Sequence, residues 1–327
     1  MFKKTLAAVA VGMVVFGAQA AEFKIGDDVV FQANFDLLAE VLNKKETVGT
    51  SQNLLGNGQI QLRSTKSLTP DFSVFGQIEV DFDPAVNNAT PSADDSRIGL
   101  ASKQFGTFTV GQFDSFIEDN IGEAITLSPH AETAVFVDEP TKDFNDGRAV
   151  QYVTPKVNGF FGVIGLNYST QTSNTEQSLG TSFVLGYDLD GLKVSFGQSN
   201  LPKFTDVAGT AHTMKSGIGA AVSYKFGDTT VAANTWKTTK LSTTTLPELD
   251  INYAGIGVAH VMGPLDFSFT FQNVVTMAAT SSTTANQWAA GVGYTVTKGT
   301  VIYLHTNSLG AANNLGDFMV AGIKTTF

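Results

Sequence analysis

The feature that most constrains this chain is a hydrophobic period of two, repeated in segment after segment. Phe72, Val74, Ile78, Val80 and Phe82 alternate with Ser73, Gln77, Glu79 and Asp81. Leu265, Phe267, Phe269 and Phe271 alternate with Asp266, Ser268, Thr270 and Gln272, and Trp288, Ala290, Val292, Tyr294 and Val296 repeat the pattern. Period two sends successive side chains to opposite faces of a strand, so each segment has one apolar, aromatic face and one small or polar face. A soluble sandwich also alternates, but its outer face is rich in Lys and Glu, whereas Gly, Ser, Thr, Asn and Gln fill the polar face here. Charged residues make up only 15% of the chain, against about 25% in an ordinary soluble domain. Inverting the sandwich accounts for both facts: the apolar face meets lipid, the polar face lines a watery lumen, and closure leaves no strand edge unpaired.

Sixteen strand segments follow from this pattern, near 28–38, 57–66, 72–83, 95–103, 106–114, 148–156, 159–169, 181–189, 191–199, 216–226, 229–238, 249–261, 264–275, 285–297, 299–307 and 316–327. An even number is what a single-chain bacterial barrel requires. Tight turns are expected at Asp190-Gly191, Gly227-Asp228, Gly263 and Lys298-Gly299. Longer Ser/Thr/Asn-rich links at 170–180, 200–215, 239–248, 276–284 and 308–315 alternate with them, and the Thr/Ser tracts at 238–245 and 280–284 read as solvated loop tips. The fold class is all-β, an antiparallel transmembrane β-barrel of sixteen strands.

The N-terminus carries Lys3 and Lys4, an apolar stretch from Leu6 to Phe16, and Ala18-Gln19-Ala20. That order fits a secretory signal peptide over residues 1–20, leaving a single barrel domain over 21–327. No later run of 18 apolar residues is present, so no transmembrane helix is expected. The absence of cysteine excludes disulfide scaffolds and thiolate metal centres, and with no lipobox cysteine after the apolar run no lipid anchor is expected. The formal charge of −10, or −12 once the two signal lysines are gone, argues against a nucleic-acid partner, because phosphate backbones demand clustered Lys and Arg.

The run Ser96-Arg97-Ile98-Gly99-Leu100-Ala101-Ser102, followed by Phe105-Gly106-Thr107-Phe108-Thr109-Val110-Gly111, resembles the fourth and fifth strands of the general porins of Gram-negative outer membranes. Ala149-Val150-Gln151-Tyr152-Val153-Thr154-Pro155 with Gly159-Phe160 is similar to the sixth strand and its turn, and Val292 to Thr300 with Tyr303 to the next-to-last hairpin. The chain ends in Phe327, with Ile323 and Met319 on the same face, like the terminal signal read by barrel-assembly machinery in that family. The resemblance covers the whole chain. It implies a homotrimeric diffusion channel in the outer membrane, surrounded by lipid and lipopolysaccharide, passing ions and small hydrophilic solutes without a cofactor. It also implies a long third loop folded into the lumen.

The stretch between Asp114 and Arg148 has the matching position and no clean strand period. Counted from Asp114 to Gly147, it holds nine acids against one base, Lys142. Glu118, Asp119, Glu123 and Glu132 are its candidate constriction acids. A solvated external loop is one reading; an acidic pore lining that concentrates cations is the other. The resemblance places a ladder of bases on the opposing wall, yet there are only three arginines, Arg63, Arg97 and Arg148. Arg97 alternates with Ile98 and Leu100, so it points inward and matches the family's fourth-strand base. Arg63 also points inward, near a rim, while Gln59 stands where the family more often has a base. Arg148 shares parity with Val150 and Tyr152, which puts its place in the ladder in doubt. Lys193 and Lys225 face inward by parity, and Glu79 and Asp81 add acid to the wall. Phe75 and Phe113 are the obvious luminal aromatics. The balance points to a weakly cation-selective channel.

Catalytic chemistry is thin. His130, His212, His260 and His305 show no metal-ligand spacing and no neighbouring nucleophile. The glycine pairs Gly217/Gly219, Gly255/Gly257 and Gly291/Gly293 lack the strand–helix context of a nucleotide loop and read as close backbone approaches in a curved sheet. A substrate-selective channel, an outer-membrane barrel enzyme and a soluble secreted β protein are the competing readings.

Overall fold

A computed structural model describes residues 21–25, 29–45, 50–83, 91–114, 116–127, 147–168, 179–200, 203–205, 211–241, 249–278, 281–308 and 317–326. The expected signal segment and the terminal Phe327 lie outside them. The strands are β1 (Ala21–Ile25), β2 (Val29–Lys45), β3 (Thr50–Ser67), β4 (Phe72–Phe82), β5 (Ser92–Ser102), β6 (Gly106–Phe113), β7 (Gly147–Val153), β8 (Phe160–Tyr168) and β9 (Leu179–Leu189). They continue with β10 (Leu192–Asn200), β11 (Lys203–Thr205), β12 (Ala211–Phe226), β13 (Thr229–Leu241), β14 (Leu249–Met262), β15 (Leu265–Ala278), β16 (Ser281–Thr297), β17 (Thr300–Ser308) and β18 (Phe318–Thr326).

Sixteen of these are the staves of one closed antiparallel sheet. Each stave pairs with its neighbour in chain order, and β18 returns to β2 through Phe318↔Lys44 to Thr326↔Asp36. The two short strands are additions that the alternation did not announce. β1 pairs with β2 over Val29–Ala33, on the edge that β18 leaves beyond Asp36. β11 likewise pairs with Ala211–Thr213, beyond the part of β12 that β10 covers. Both satisfy backbone groups on an edge where the regular neighbour has ended.

Several strands outrun their expected limits. β2 and β3 continue as a long hairpin through Lys45 and Thr50, and the expected link at 276–284 narrows to residues 279–280. The Thr/Ser stretch at 281–284 is the start of β16, with Thr283 opposite Thr276 and Thr284 opposite Val275. Thr is β-branched and fits a pleated, solvated strand, so polarity there marks projection into water and not a loop. The tight turns are where the sequence puts them: Asp190 and Gly191 both have positive φ, at 52° and 82°, the geometry of a type I′ hairpin.

Outside and inside follow the parity. Ile98, Ile164, Phe269 and Tyr294 stand exposed on the outer surface, which is the apolar band a bilayer would cover. The luminal face carries Gln77, Thr109, Gln151, Ser195, Asn234 and Gln287 among its buried polar side chains. The luminal aromatics are more numerous than Phe75 and Phe113, since Trp236, Tyr253 and Tyr303 are also buried on this face. Trp236 directly opposes Gly219 of β12, Tyr303 opposes Gly322 of β18, and a Cβ on either glycine would run into the ring. An inward ring thus lies flat over a neighbouring glycine, which keeps its bulk out of the pore.

Candidate functional site

The long insertion contributes a segment that enters the barrel. Residues 116–127 form a π-helical turn, Glu118–Gly122, followed by a 3₁₀ turn, Glu123–Ile125. Ile117, Ile121 and Ile125 recur every four residues and are at most 1% exposed. At helical spacing they make one stripe, facing the wall. Ile117 and Ile121 share an apolar cluster with Val163, Val184, Ala221, Trp236, Tyr253 and Val274, all from inward-facing wall positions, and Ile125 packs with Ala232. Burial of each isoleucine contributes about 1.5–3 kcal/mol as an upper estimate.

Glycines make room for that stripe. A Cβ on Gly197 would come within 2.8 Å of Ile121, and one on Gly255 or Gly257 would collide with the side chain or carbonyl of Ile125. The Gly255/Gly257 pair, expected as a site of close backbone approach, is the floor under the loop. Hydrogen bonds fix the register. Asn234 Nδ2 donates to the carbonyls of Ile121 and Gly122, at 2.8 and 3.1 Å. Thr270 Oγ1 donates to the carbonyl of Ile125 at 3.0 Å. Each donor is a wall side chain, and each acceptor is a carbonyl at the irregular end of a turn, where regular helical bonding stops.

With the isoleucines turned to the wall, Asp119 and Glu123 are exposed on the other side of the turns and Glu118 is half-buried. These three expected acids are therefore together inside the barrel. Glu132 lies outside the described residues.

Across the lumen, β3, β4 and β5 carry the wall charges. Arg63, Gln77 and Arg97 form one row, since Arg63↔Gln77 and Gln77↔Arg97 are both register partners. Arg63 shares this register row with Arg97, and β3 runs on from it to Ser67. Its guanidinium lies 4.5 Å from the Phe75 ring centre, and that of Arg97 lies 5.8 Å from Phe113. Stacking on rings orients both cations. The next row toward the long loops holds Gln61 and Glu79, followed by Gln59 and Asp81. Glu79 accepts from Gln59 Nε2 at 2.6 Å and Gln61 Nε2 at 2.7 Å. The residue in the expected basic position, Gln59, thus holds a carboxylate in place.

Parity with Arg97 turns Asp95 inward but sends Asp94 to the other face. Ile78 pairs with Ser96 but Val80 pairs with Ala93, so β5 bulges by one residue here. A bulge redirects side chains that strict alternation would separate. Asp94 comes within 4.8 Å of Glu79 and Asp81, carboxylate oxygen to carboxylate oxygen. Asp95 is 3.8 Å from the Arg97 guanidinium and within electrostatic reach of Asp119 on the loop. The other signals missed were the four-residue spacing of the isoleucines, legible in the sequence, and the donors Asn234 and Thr270, which nothing in one sequence singles out.

The remaining expected bases do not join this group. Lys193 and Lys225 occupy luminal positions beside the short turns at Gly191 and Gly227, away from the loop. The backbone of Arg148 pairs with Gln112 and Tyr168, in the alternation that includes Val150 and Tyr152. Its side chain is outside the described residues. Of the histidines described, His305 is buried edge-on against Tyr303, and His260 bonds Thr229 at 2.9 Å.

A comparison with curated proteins by sequence gave no match. Solved structures do match. An OmpF of Salmonella typhi in complex with daunomycin superposes with a TM-score of 0.78 at 14% identity, covering 94% of this chain and all of its own. The trimer form of OmpT, an outer membrane protein of Vibrio cholerae, gives 0.73 at 13% identity over 92% and 100%. An anion-selective porin from Comamonas acidovorans gives 0.71 at 17% identity over 91% and 99%. At these identities the likeness establishes the fold. The sequence model described as Gram-negative porin matches residues 5–313. The chain therefore belongs to the Gram-negative porin family and is a channel-forming β-barrel of the outer membrane.

Proposed function

We propose that this porin is a passive, water-filled, weakly cation-selective channel for ions and small hydrophilic solutes, and not an enzyme. The observation that supports the selectivity is that the turns bury Ile117, Ile121 and Ile125 on the wall and leave Asp119 and Glu123 exposed, with Asp95 of β5 near enough to Asp119 to act on it electrostatically. Glu118 and Glu123 add to one side of that gap, and Glu79, Asp81 and Asp94 to the other, against Arg63 and Arg97. Carboxylates between low-dielectric walls raise local cation concentration and repel anions. The fold alone does not set the sign, since one structural neighbour is described as anion-selective.

The first twenty residues act as an export signal, the barrel assembles as a homotrimer among lipid and lipopolysaccharide, and Phe327 serves as the assembly signal. Purified protein in planar bilayers under a KCl gradient tests the channel reading: a reversal potential of the sign for K⁺ permeation supports it, and a clear anion preference sinks the selectivity.

A further inference from the structure

The charged wall is sorted by sign along the pore axis. Arg63 and Arg97 flank Gln77 in one row, and the carboxylates of Glu79, Asp81 and Asp94 occupy the next rows toward the long loops. Successive rows are two residues apart on β4, a step of about 7 Å. Gln77 is only 3% exposed, and its amide nitrogen has no hydrogen-bond partner. Buried amides without partners are rare and mark a place where another polar group belongs. Set between two guanidiniums, that N–H adds a third donor to a row that suits a carboxylate, whose oxygens only accept. Just above it, three carboxylate oxygens within 4.8 Å of one another can each lie about 2.8 Å from a single ammonium nitrogen, which has three N–H groups to give.

We propose that the β3–β5 wall is a subsite for zwitterionic solutes of amino-acid size, with the carboxylate at Arg63, Gln77 and Arg97 and the ammonium at Glu79, Asp81 and Asp94. The solute lies parallel to the pore axis with its ammonium toward the long loops. This rests on the channel reading above and names a solute class for it. The hydrogen-bonded Gln59 and Gln61 hold Glu79 in position for the ammonium, and the Phe75 and Phe113 rings hold the guanidiniums.

Osmotic swelling of liposomes containing the full-length protein tests this, with β-alanine as the zwitterion and the uncharged isomer lactamide as its size match, in buffer with EDTA. β-Alanine is expected to enter at least about threefold faster, the effect of one weakly screened charge pair. Glu79→Gln and Gln77→Met should each bring the ratio of β-alanine to lactamide entry toward one. Gln77→Met keeps every charge, so it remains decisive if Glu79→Gln fails to insert. Equal rates for the two solutes in wild type would overturn the subsite while leaving the channel intact, whereas no entry of either would overturn the channel reading itself. A preference seen only without EDTA would assign the carboxylates to a divalent cation and likewise overturn the proposal.

Discussion

The two halves of the inner wall differ in kind. Midway up β10 and β12–β17, the described luminal positions are small, uncharged polar, aromatic or, at Val274, aliphatic, with His305 the one titratable imidazole and no Asp, Glu, Lys or Arg, and the loop lies against part of this wall. On β3–β5 the same depth holds Arg63, Arg97, Glu79, Asp81, Asp94 and Asp95. The difference follows from what each half faces. A wall pressed against a peptide must be small, and it must supply donors for that peptide's carbonyls, while a charge buried there would lose its hydration. A wall open to water can keep its ions, and those ions face the acids on the loop's free side. The loop therefore divides the lumen into a side that holds it and a side that selects.

The comparison breaks most severely if the holding side is overpacked. In Gly257→Leu the new side chain meets the Ile125 carbonyl, a cost of about 1–3 kcal/mol or more. Single-channel recordings should show the loop displaced as a larger, noisier conductance, while the barrel still migrates as a folded, heat-modifiable species. Asn234→Leu removes both hydrogen bonds to the loop and leaves the Ile121 and Gly122 carbonyls without their donor. It should destabilise the loop's attachment by about 1–3 kcal/mol, read as conductance substates without a change in unfolding temperature of the barrel. At the small end, Lys237→Ala breaks an exposed 3.0 Å pair with Asp250 on the outer face, belonging to neither half. Its effect on thermal stability in detergent should be below about 1 kcal/mol, with conductance unchanged.

Much of this architecture is written in the period of two. The alternation of Phe267, Phe269 and Phe271 with Ser268, Thr270 and Gln272 fixes which face meets lipid, because a slip of one residue would reverse every side chain. The tight turns are equally legible, since Asp190-Gly191 has few other conformations to offer. Parity fails where the ladder is irregular. It sees one of Asp94 and Asp95 as luminal, and the bulge brings both into play. It also misses how far β16 extends, because Ser281 to Thr284 carry no apolar face beyond the membrane. The loop acids Glu118, Asp119 and Glu123 stand out by charge, but their orientation is set by Ile117, Ile121 and Ile125, a helical signal inside a chain otherwise read with period two. The bonds from Asn234 and Thr270 join residues more than a hundred positions apart, and local pattern carries no trace of such pairs.

The central claim is that loop acids facing an acid-bearing wall make the channel prefer cations. The most direct test is the reversal potential under a KCl gradient for wild type and for the triple variant Glu118→Gln, Asp119→Asn, Glu123→Gln. Wild type should show K⁺ preference that weakens at high salt as the charges are screened, and the variant should move toward zero or to the anion side with its conductance largely kept. An anion-selective wild type, or a variant whose potential equals that of wild type, would contradict the account.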